Sequence, residues 1–146
     1  MSAKPGPRGF DLLLVEDHAP DVRLLEEALR ELALPHRLHV ARDGVAALAA
    51  LRDGVAGVPR PDLILLDLNL PRMDGRELLV ALKSDPAFAS IPLLLFTTSS
   101  SDLEVTRSYA QHANAFLTKP IDLAGFLALV RAIDGFWFRA ATLPPR

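Results

Sequence analysis

A regular alternation between short apolar runs and longer segments of helical periodicity constrains the fold of this chain more than any other feature of its sequence. The runs at residues 11–15 and 63–66 are almost continuously apolar, which is typical of strands that are covered on both faces. Between such runs, apolar residues recur every three or four positions, as over 24–32 and 75–85. This alternation predicts an α/β fold in which helices cover both faces of a parallel sheet.

Five strands and five helices can be assigned along the chain. The expected strands are 11–15, 36–41, 63–66, 92–96 and 115–118. The expected helices are 24–32, 45–51, 75–85, 101–113 and 123–138. The run at 63–66 is the candidate for the centre of the sheet, since it shows no polar alternation. Ser101 and Glu104 have the spacing of a capping box at the start of the fourth helix.

Composition excludes several function classes. The chain of 146 residues contains 16 lysines and arginines, 18 aspartates and glutamates, and no cysteine. A net charge of −2 without a basic stripe argues against direct nucleic-acid binding. The lack of cysteine excludes disulfide frameworks, cysteine–zinc sites and thiol catalysis. The four histidines have no metal-ligand spacing, although His18 lies beside an acidic segment.

The length of the chain suits one domain. We expect a flexible N-terminal lead at 1–10, the domain at 11–138, a C-terminal tail at 139–146 and no output module. No apolar run approaches the roughly 20 residues that span a bilayer, and no apolar stretch follows the start of the chain as in a signal peptide. We therefore expect a soluble protein of the cytoplasm that does not bind membranes.

Polar and charged residues cluster at the ends of the predicted strands. In chain order they are Glu16, Asp17, Asp67, Asn69, Thr97 and Lys119. We expect them to converge, because ligands of such sheets bind beyond the carboxyl ends of the strands. Two carboxylates about 5 Å apart repel by roughly 3 kcal/mol at an effective dielectric of 20. A crowded acidic site therefore needs a cation, and Mg²⁺ suits a few carboxylates together with water and a phosphate oxygen.

The acidic pair Glu16-Asp17, the segment 67–75 (DLNLPRMDG), Thr97 and Lys119-Pro120 together resemble the receiver domain of two-component response regulators. The resemblance covers roughly residues 12–138, and it is greatest to small receivers without an output domain that pair with phytochrome-type sensor histidine kinases. It implies a flavodoxin-like, doubly wound (βα)5 fold with strand order 2-1-3-4-5. It also implies a bacteriophytochrome-type kinase as partner and a role in light signalling.

The resemblance further implies a role for each site residue. Asp67 would be the phosphoacceptor, and Lys119 would neutralise the phosphoryl group. The expected Mg²⁺ ligands are the carboxylates of Asp17 and Asp67, the main-chain carbonyl of Asn69 and, through water, Glu16. Such a protein is not an enzyme with turnover, since only self-phosphoryl transfer and autodephosphorylation are expected of it.

The switch that the resemblance implies involves Thr97, Phe116 and the fourth helix. The Thr97 hydroxyl would follow the phosphoryl oxygen. Phe116 stands where many family members have tyrosine, so its ring could follow Thr97 but could form no phenolic hydrogen bond. The peptide bond between Lys119 and Pro120 is expected to be cis.

Three aromatic residues lie together near the end of the chain: Phe136, Trp137 and Phe138. Either they pack back on their own domain, or they form the interface of a homodimer built on the last helix. We favour the homodimer, because apolar excess beyond the last helix suggests a partner and two-fold pairing is the commonest assembly.

Two other functions fit parts of the same residue set. A haloacid-dehalogenase-like phosphohydrolase also uses an aspartate nucleophile, a Thr or Ser, a lysine and Mg²⁺. That class needs a second aspartate two residues after the nucleophile, where this chain has Asn69, which cannot protonate a leaving group. A receiver-like adaptor that is never phosphorylated is the second alternative, and the intact acidic set argues against it.

Overall fold

The computed structural model describes residues 9–53, 60–98 and 101–145. Its five strands form one parallel sheet in the predicted order 2-1-3-4-5, counted along the chain. The strands are β1 (Phe10–Val15), β2 (His36–Ala41), β3 (Leu63–Leu66), β4 (Leu93–Thr97) and β5 (Ala115–Thr118). The helices are α1 (Ala19–Glu31), α2 (Gly44–Asp53), α3 (Gly75–Lys83), α4 (Asp102–Ala110) and α5 (Leu123–Ile133), and a π-helix, Asp134–Ala140, continues α5.

Two apolar cores explain why the central strands show no alternation. On one face of the sheet, Leu63 and Leu65 of β3 pack in a core that includes residues of α1 and α5. On the other face, Ile64 and Leu66 pack with residues of α2 and α3. Side chains alternate between the faces along a strand. Both faces are covered, so every residue of β3 is apolar and buried.

Several helix ends differ from the sequence prediction. Helix α1 begins at Ala19, before the first leucine of its apolar face, with a proline in the first turn where no backbone donor is needed. Helix α4 ends at Ala110 rather than 113, and His112 has a left-handed backbone (φ 73°) that stops the helix. The predicted fifth helix becomes a π-helix from Asp134 onward.

Side-chain caps fix the starts of α3 and α4, among other helices, beside the carboxyl edge of the sheet. Asp74 accepts hydrogen bonds from the backbone N–H groups of Arg76 and Glu77, at 2.8 and 3.0 Å. The Ser101 hydroxyl oxygen accepts from the backbone N–H of Glu104 at 3.2 Å, as the capping box predicted. The same hydroxyl donates to the Glu104 carboxylate, at 3.3 Å.

The aromatic residues near the C-terminus divide between the core and the surface. The ring of Phe138 is buried and stacks on Phe10, with ring centroids 3.7 Å apart. The prediction of Phe138 as a dimer contact is therefore wrong, because its own domain covers the ring. Trp137 is half-buried, and Phe136 is 57% exposed. Leu143, within the expected tail, also lies in the core.

The expected helix 45–51 and strand 63–66 leave a connection between them, and residues 54–59 of it lie outside the described residues. Within the described ranges, no helix combines the length and the apolarity that crossing a membrane requires.

Candidate functional site at the carboxyl edge of the sheet

Backbone hydrogen bonds extend the sheet slightly beyond the strands and bring the polar residues together. The N–H of Glu16 donates to the carbonyl of Ala41, at 2.9 Å. The N–H of Asp67 donates to the carbonyl of Val15, at 3.1 Å, and that of Lys119 to the carbonyl of Thr97, at 2.9 Å. Glu16, Asp67 and Lys119 therefore leave the sheet at one edge, as the sequence predicted.

Lys119 lies at the centre of the site. Its Nζ is 2.6 Å from Glu16 Oε1, 3.0 Å from Asp21 Oδ2 and 3.0 Å from Asp67 Oδ2. It also lies 5.2 Å from the centre of the Phe96 ring, which is within the range of a cation–π contact. Lys119 is only 8% exposed, so one desolvated ammonium group faces three carboxylates.

Asp67 is held from both sides of its carboxylate. Oδ2 accepts a hydrogen bond from Lys119, and Oδ1 accepts one from the backbone N–H of Asn69, at 3.1 Å. The side chain of Asn69 then donates from Nδ2 to Thr97 Oγ1, at 3.3 Å. A chain of contacts thus joins Lys119 to Asp67, Asn69 and the buried hydroxyl of Thr97.

Gly75 allows α3 to start directly beside Asp67. A Cβ at Gly75 would lie 2.3 Å from the carbonyl oxygen of Asp67 and 2.6 Å from Leu68 Cα. The N–H of Gly75 donates to the carbonyl of Leu68, at 3.0 Å, which closes the loop between β3 and α3. The Asp74-Gly75 pair of the segment 67–75 therefore has a structural purpose, since Asp74 caps the helix and Gly75 permits the close approach.

Burial and charge shift the two pKa values at the centre of the site. Burial raises the pKa of Glu16 to about 7, the charge of Asp67 acts in the same direction, and Lys119 opposes the shift. For Lys119, burial alone would lower the pKa, but close contacts with the carboxylates of Glu16, Asp21 and Asp67 raise it overall. Lys119 thus remains an ammonium ion, whereas Glu16 can gain or lose a proton near neutral pH.

The predicted metal ligands are not gathered around one point in this structure. Among the residues it describes, no group of three or more acidic or histidine side chains is placed to hold a metal ion. Asp17 is exposed, and Glu16 contacts Lys119 directly. The residues nevertheless fit a hard divalent cation. The donors are oxygens, and Glu16 Oε1 is buried in a close ion pair without a directed hydrogen bond.

Phe116 is half-buried in β5, beside the core that α2 and α3 cover. Its backbone N–H donates to the phenolic oxygen of Tyr109 in α4, at 3.2 Å. A phenol thus does contact this position, although it comes from α4 and not from residue 116. This hydrogen bond joins β5 to α4 outside the buried site.

Asp21 was not among the site residues predicted from the sequence. In the structure it lies in the first turn of α1, where Oδ2 contacts Lys119 Nζ and, at 2.7 Å, His18 Nδ1. The available signal was its position four residues after Asp17, at the start of a helix that follows an acidic strand end.

The prediction of a cis bond before Pro120 is wrong, since all peptide bonds in the described ranges are trans. The trans form is the lower-energy isomer of an X-Pro bond by about 0.5–1 kcal/mol.

Comparisons with known proteins agree with this geometry. The family described as response regulator receiver domain matches residues 12–131. The response regulator Rcp1 of Synechocystis sp. is 44% identical over 135 residues, which cover 91% of this chain and 92% of Rcp1. The structure of the phosphorylated cyanobacterial phytochrome response regulator RcpA has a TM-score of 0.86 and 43% identity, covering 93% of this chain and 99% of that one. The Mn²⁺-bound form of Rcp1 has a TM-score of 0.84 and 43% identity, covering 92% and 99%.

Proposed function

The chain belongs to the response regulator receiver domain family, and we propose that it accepts a phosphoryl group on Asp67 from a sensor histidine kinase. Membership of this family favours a phosphoacceptor over a phosphohydrolase and over an adaptor that is never phosphorylated. The observation that carries the assignment to Asp67 is its contact with Lys119 at the carboxyl edge of the sheet, 3.0 Å between Oδ2 and Nζ.

In the proposed transfer, a carboxylate oxygen of Asp67 attacks the phosphorus of a phosphohistidine. The new O–P bond forms as the P–N bond breaks, and the histidine nitrogen keeps the bonding electrons. Such transfers need positioning and charge neutralisation more than a general base. Lys119 supplies a positive charge beside the attacking oxygen, and the hydroxyl of Thr97 lies one hydrogen bond beyond Asn69.

A divalent cation, which we take to be Mg²⁺, would neutralise charge on the transferred group. Asp17, Asp67, the carbonyl of Asn69 and, through water, Glu16 would hold it. Rcp1 has a Mn²⁺-bound crystal form, which supports a divalent ion in this family.

We further propose that phosphorylation repacks Thr97, Phe116 and α4. Ser108 is the buried residue of α4, whose other side chains are half-buried or exposed, so moving this helix exposes little apolar surface. The bond between Tyr109 and the backbone of Phe116 would have to adjust with it. The weak packing of α4 therefore supports its role as the moving element.

The relatives suggest the signal and the partners. RcpA is named as a phytochrome response regulator, and a bacteriophytochrome response regulator is 33% identical with a TM-score of 0.73. We propose a phytochrome-type sensor kinase as the phosphoryl donor, location in the cytoplasm, autodephosphorylation and no direct contact with nucleic acid. A homodimer through the C-terminal helix region is also part of the proposal, with Phe136 and Trp137 as its aromatic contacts.

Intact-protein mass spectrometry tests the proposal. The wild-type protein is incubated with acetyl phosphate and either Mg²⁺ or excess EDTA, beside Asp67→Asn. We expect one phosphoryl adduct per chain that requires Mg²⁺ and is absent from Asp67→Asn. No adduct on the wild type, or an equal adduct on Asp67→Asn, would contradict the assignment. Repeated turnover of a simple phosphate ester would instead favour the phosphohydrolase.

A further inference from the structure

Asp21 is the third carboxylate on Lys119, and the proposed phosphoryl transfer gives it no role. Its Oδ2 lies 3.0 Å from Lys119 Nζ and 2.7 Å from His18 Nδ1, and its side chain is 13% exposed. It reaches the site from the first turn of α1, whereas Glu16 and Asp67 follow strands. Asp21 therefore contacts the central ammonium group from a helix, whereas the other two carboxylates contact it from strand ends.

The contacts of Lys119 surround its ammonium group with carboxylates. An ammonium group has three N–H donors and no acceptor. Lys119 Nζ has three carboxylate neighbours within 3.0 Å, on Glu16, Asp21 and Asp67. A phosphoryl oxygen that arrives at Asp67 must therefore compete with these carboxylates for the positive charge of Lys119.

Asp21 is the contact that can yield at least cost. Glu16 is completely buried, and Asp67 carries the phosphoryl group itself. Asp21 lies at the rim, where His18 is exposed and water can solvate a released carboxylate. While Asp21 stays in place, its carboxylate both pairs with the ammonium group of Lys119 at 3.0 Å and repels an incoming anion.

We propose that Asp21 is a positioning residue that acts through Lys119: it pairs with the ammonium group and so weakens the interaction of that group with a phosphoryl group on Asp67. This inference rests on the proposed function, since it needs phosphorylation at Asp67. It predicts that loss of the Asp21 charge increases the rate of phosphorylation at Asp67. Removal of a residue that merely supports the site would instead lower that rate.

The test compares Asp21→Asn, Asp21→Ala and the control Glu26→Gln. The control removes one negative charge from an exposed position of the same helix. The rate of phosphorylation by acetyl phosphate with Mg²⁺ is measured by mass spectrometry at low ionic strength. We expect both Asp21 variants to react about fivefold faster than wild type, which corresponds to the interaction energy of a partly exposed ion pair. We expect Glu26→Gln to react at the wild-type rate.

Ionic strength distinguishes a charge effect from a structural one. Salt screens charges, so the advantage of both Asp21 variants should shrink as salt is added, whereas a packing effect would not change. Equal phosphorylation rates for Asp21→Asn and Glu26→Gln would overturn the inference. It would also be overturned if Asp21→Ala reacted more slowly than wild type while Asp21→Asn reacted at the wild-type rate. If the wild type itself gains no phosphoryl group on Asp67, the proposed function fails instead.

Discussion

Lys119 Nζ donates a hydrogen bond to Asp67 Oδ2 at 3.0 Å, across 52 residues of sequence. Both residues directly follow strands of the sheet, so the fold itself creates the contact. The pair places a permanent positive charge beside the carboxylate that is proposed to be phosphorylated.

Replacing Lys119 should destabilise the protein. Lys119→Met leaves Glu16 and Asp67 buried without their counter-charge, and breaking a buried pair in this way costs about 3–5 kcal/mol. Proton uptake by Glu16 relieves part of that cost, so we expect a loss of about 3 kcal/mol in the free energy of unfolding at pH 8. Urea denaturation in EDTA measures it. The control Arg131→Met removes a charge from an exposed position and should change the free energy of unfolding by less than about 0.5 kcal/mol. Equal stability of the two variants would contradict the role of Lys119.

Glu16 should make stability depend on pH near neutrality. Its folded pKa is raised from 4.5 to about 7, so its contribution is fully present below pH 4.5 and is lost as pH rises through 7. Glu16→Gln removes this titration. We therefore expect the stability of Glu16→Gln relative to wild type to increase by about 1–3 kcal/mol between pH 5 and pH 8. Denaturation curves across this range, in metal-free buffer, measure the difference, and parallel pH profiles would argue against a buried, titrating Glu16.

Gly75 should tolerate no side chain. A Cβ there overlaps the carbonyl oxygen of Asp67, so Gly75→Ala must displace the loop that carries the proposed phosphoacceptor. We expect a loss of about 1–3 kcal/mol and slower phosphorylation. Gly135 in the π-helix offers a matched control, since an added Cβ there has no neighbour within 4 Å. Gly135→Ala should keep the wild-type phosphorylation rate, and a similar loss in both variants would refute the steric argument.

Replacing Phe138 should lower the stability of the fold, whereas replacing Phe136 should affect only dimerisation. Phe138→Ala removes the ring that stacks on Phe10 and should cost about 3–5 kcal/mol. Phe136→Ala should leave the stability of the monomer within about 0.5 kcal/mol and shift any dimer toward monomer. Thermal denaturation and light scattering measure the two effects. A dimer that is unchanged by Phe136→Ala would exclude this ring from the interface.

The sequence was sufficient to predict the sheet and which strand ends meet at the site. Buried strands such as 63–66 carry a continuous apolar signal, and parallel strands bring the residues that follow them to one edge. Glu16, Asp67 and Lys119 could therefore be placed together from strand ends alone. The order of the strands agrees with the resemblance to receiver domains.

Contacts made by side chains from other elements were harder to predict. Asp21 reaches Lys119 only because the first turn of α1 lies beside the end of β5, and no local pattern encodes that distance. The burial of Phe138 depends on Phe10, at the other end of the chain. The end of α4 depends on the left-handed backbone of His112, a residue type with no strong helix-stopping signal.

Locating the acyl phosphate tests the central claim most directly. The protein is phosphorylated with acetyl phosphate and Mg²⁺ and reduced with borohydride, which converts an aspartyl phosphate to homoserine, and its peptides are then sequenced by mass spectrometry. Phosphorylation at Asp67 predicts homoserine at position 67 and aspartate at positions 17 and 21. Homoserine at another aspartate, or phosphate retained on a histidine with Asp67 unmodified, would contradict it.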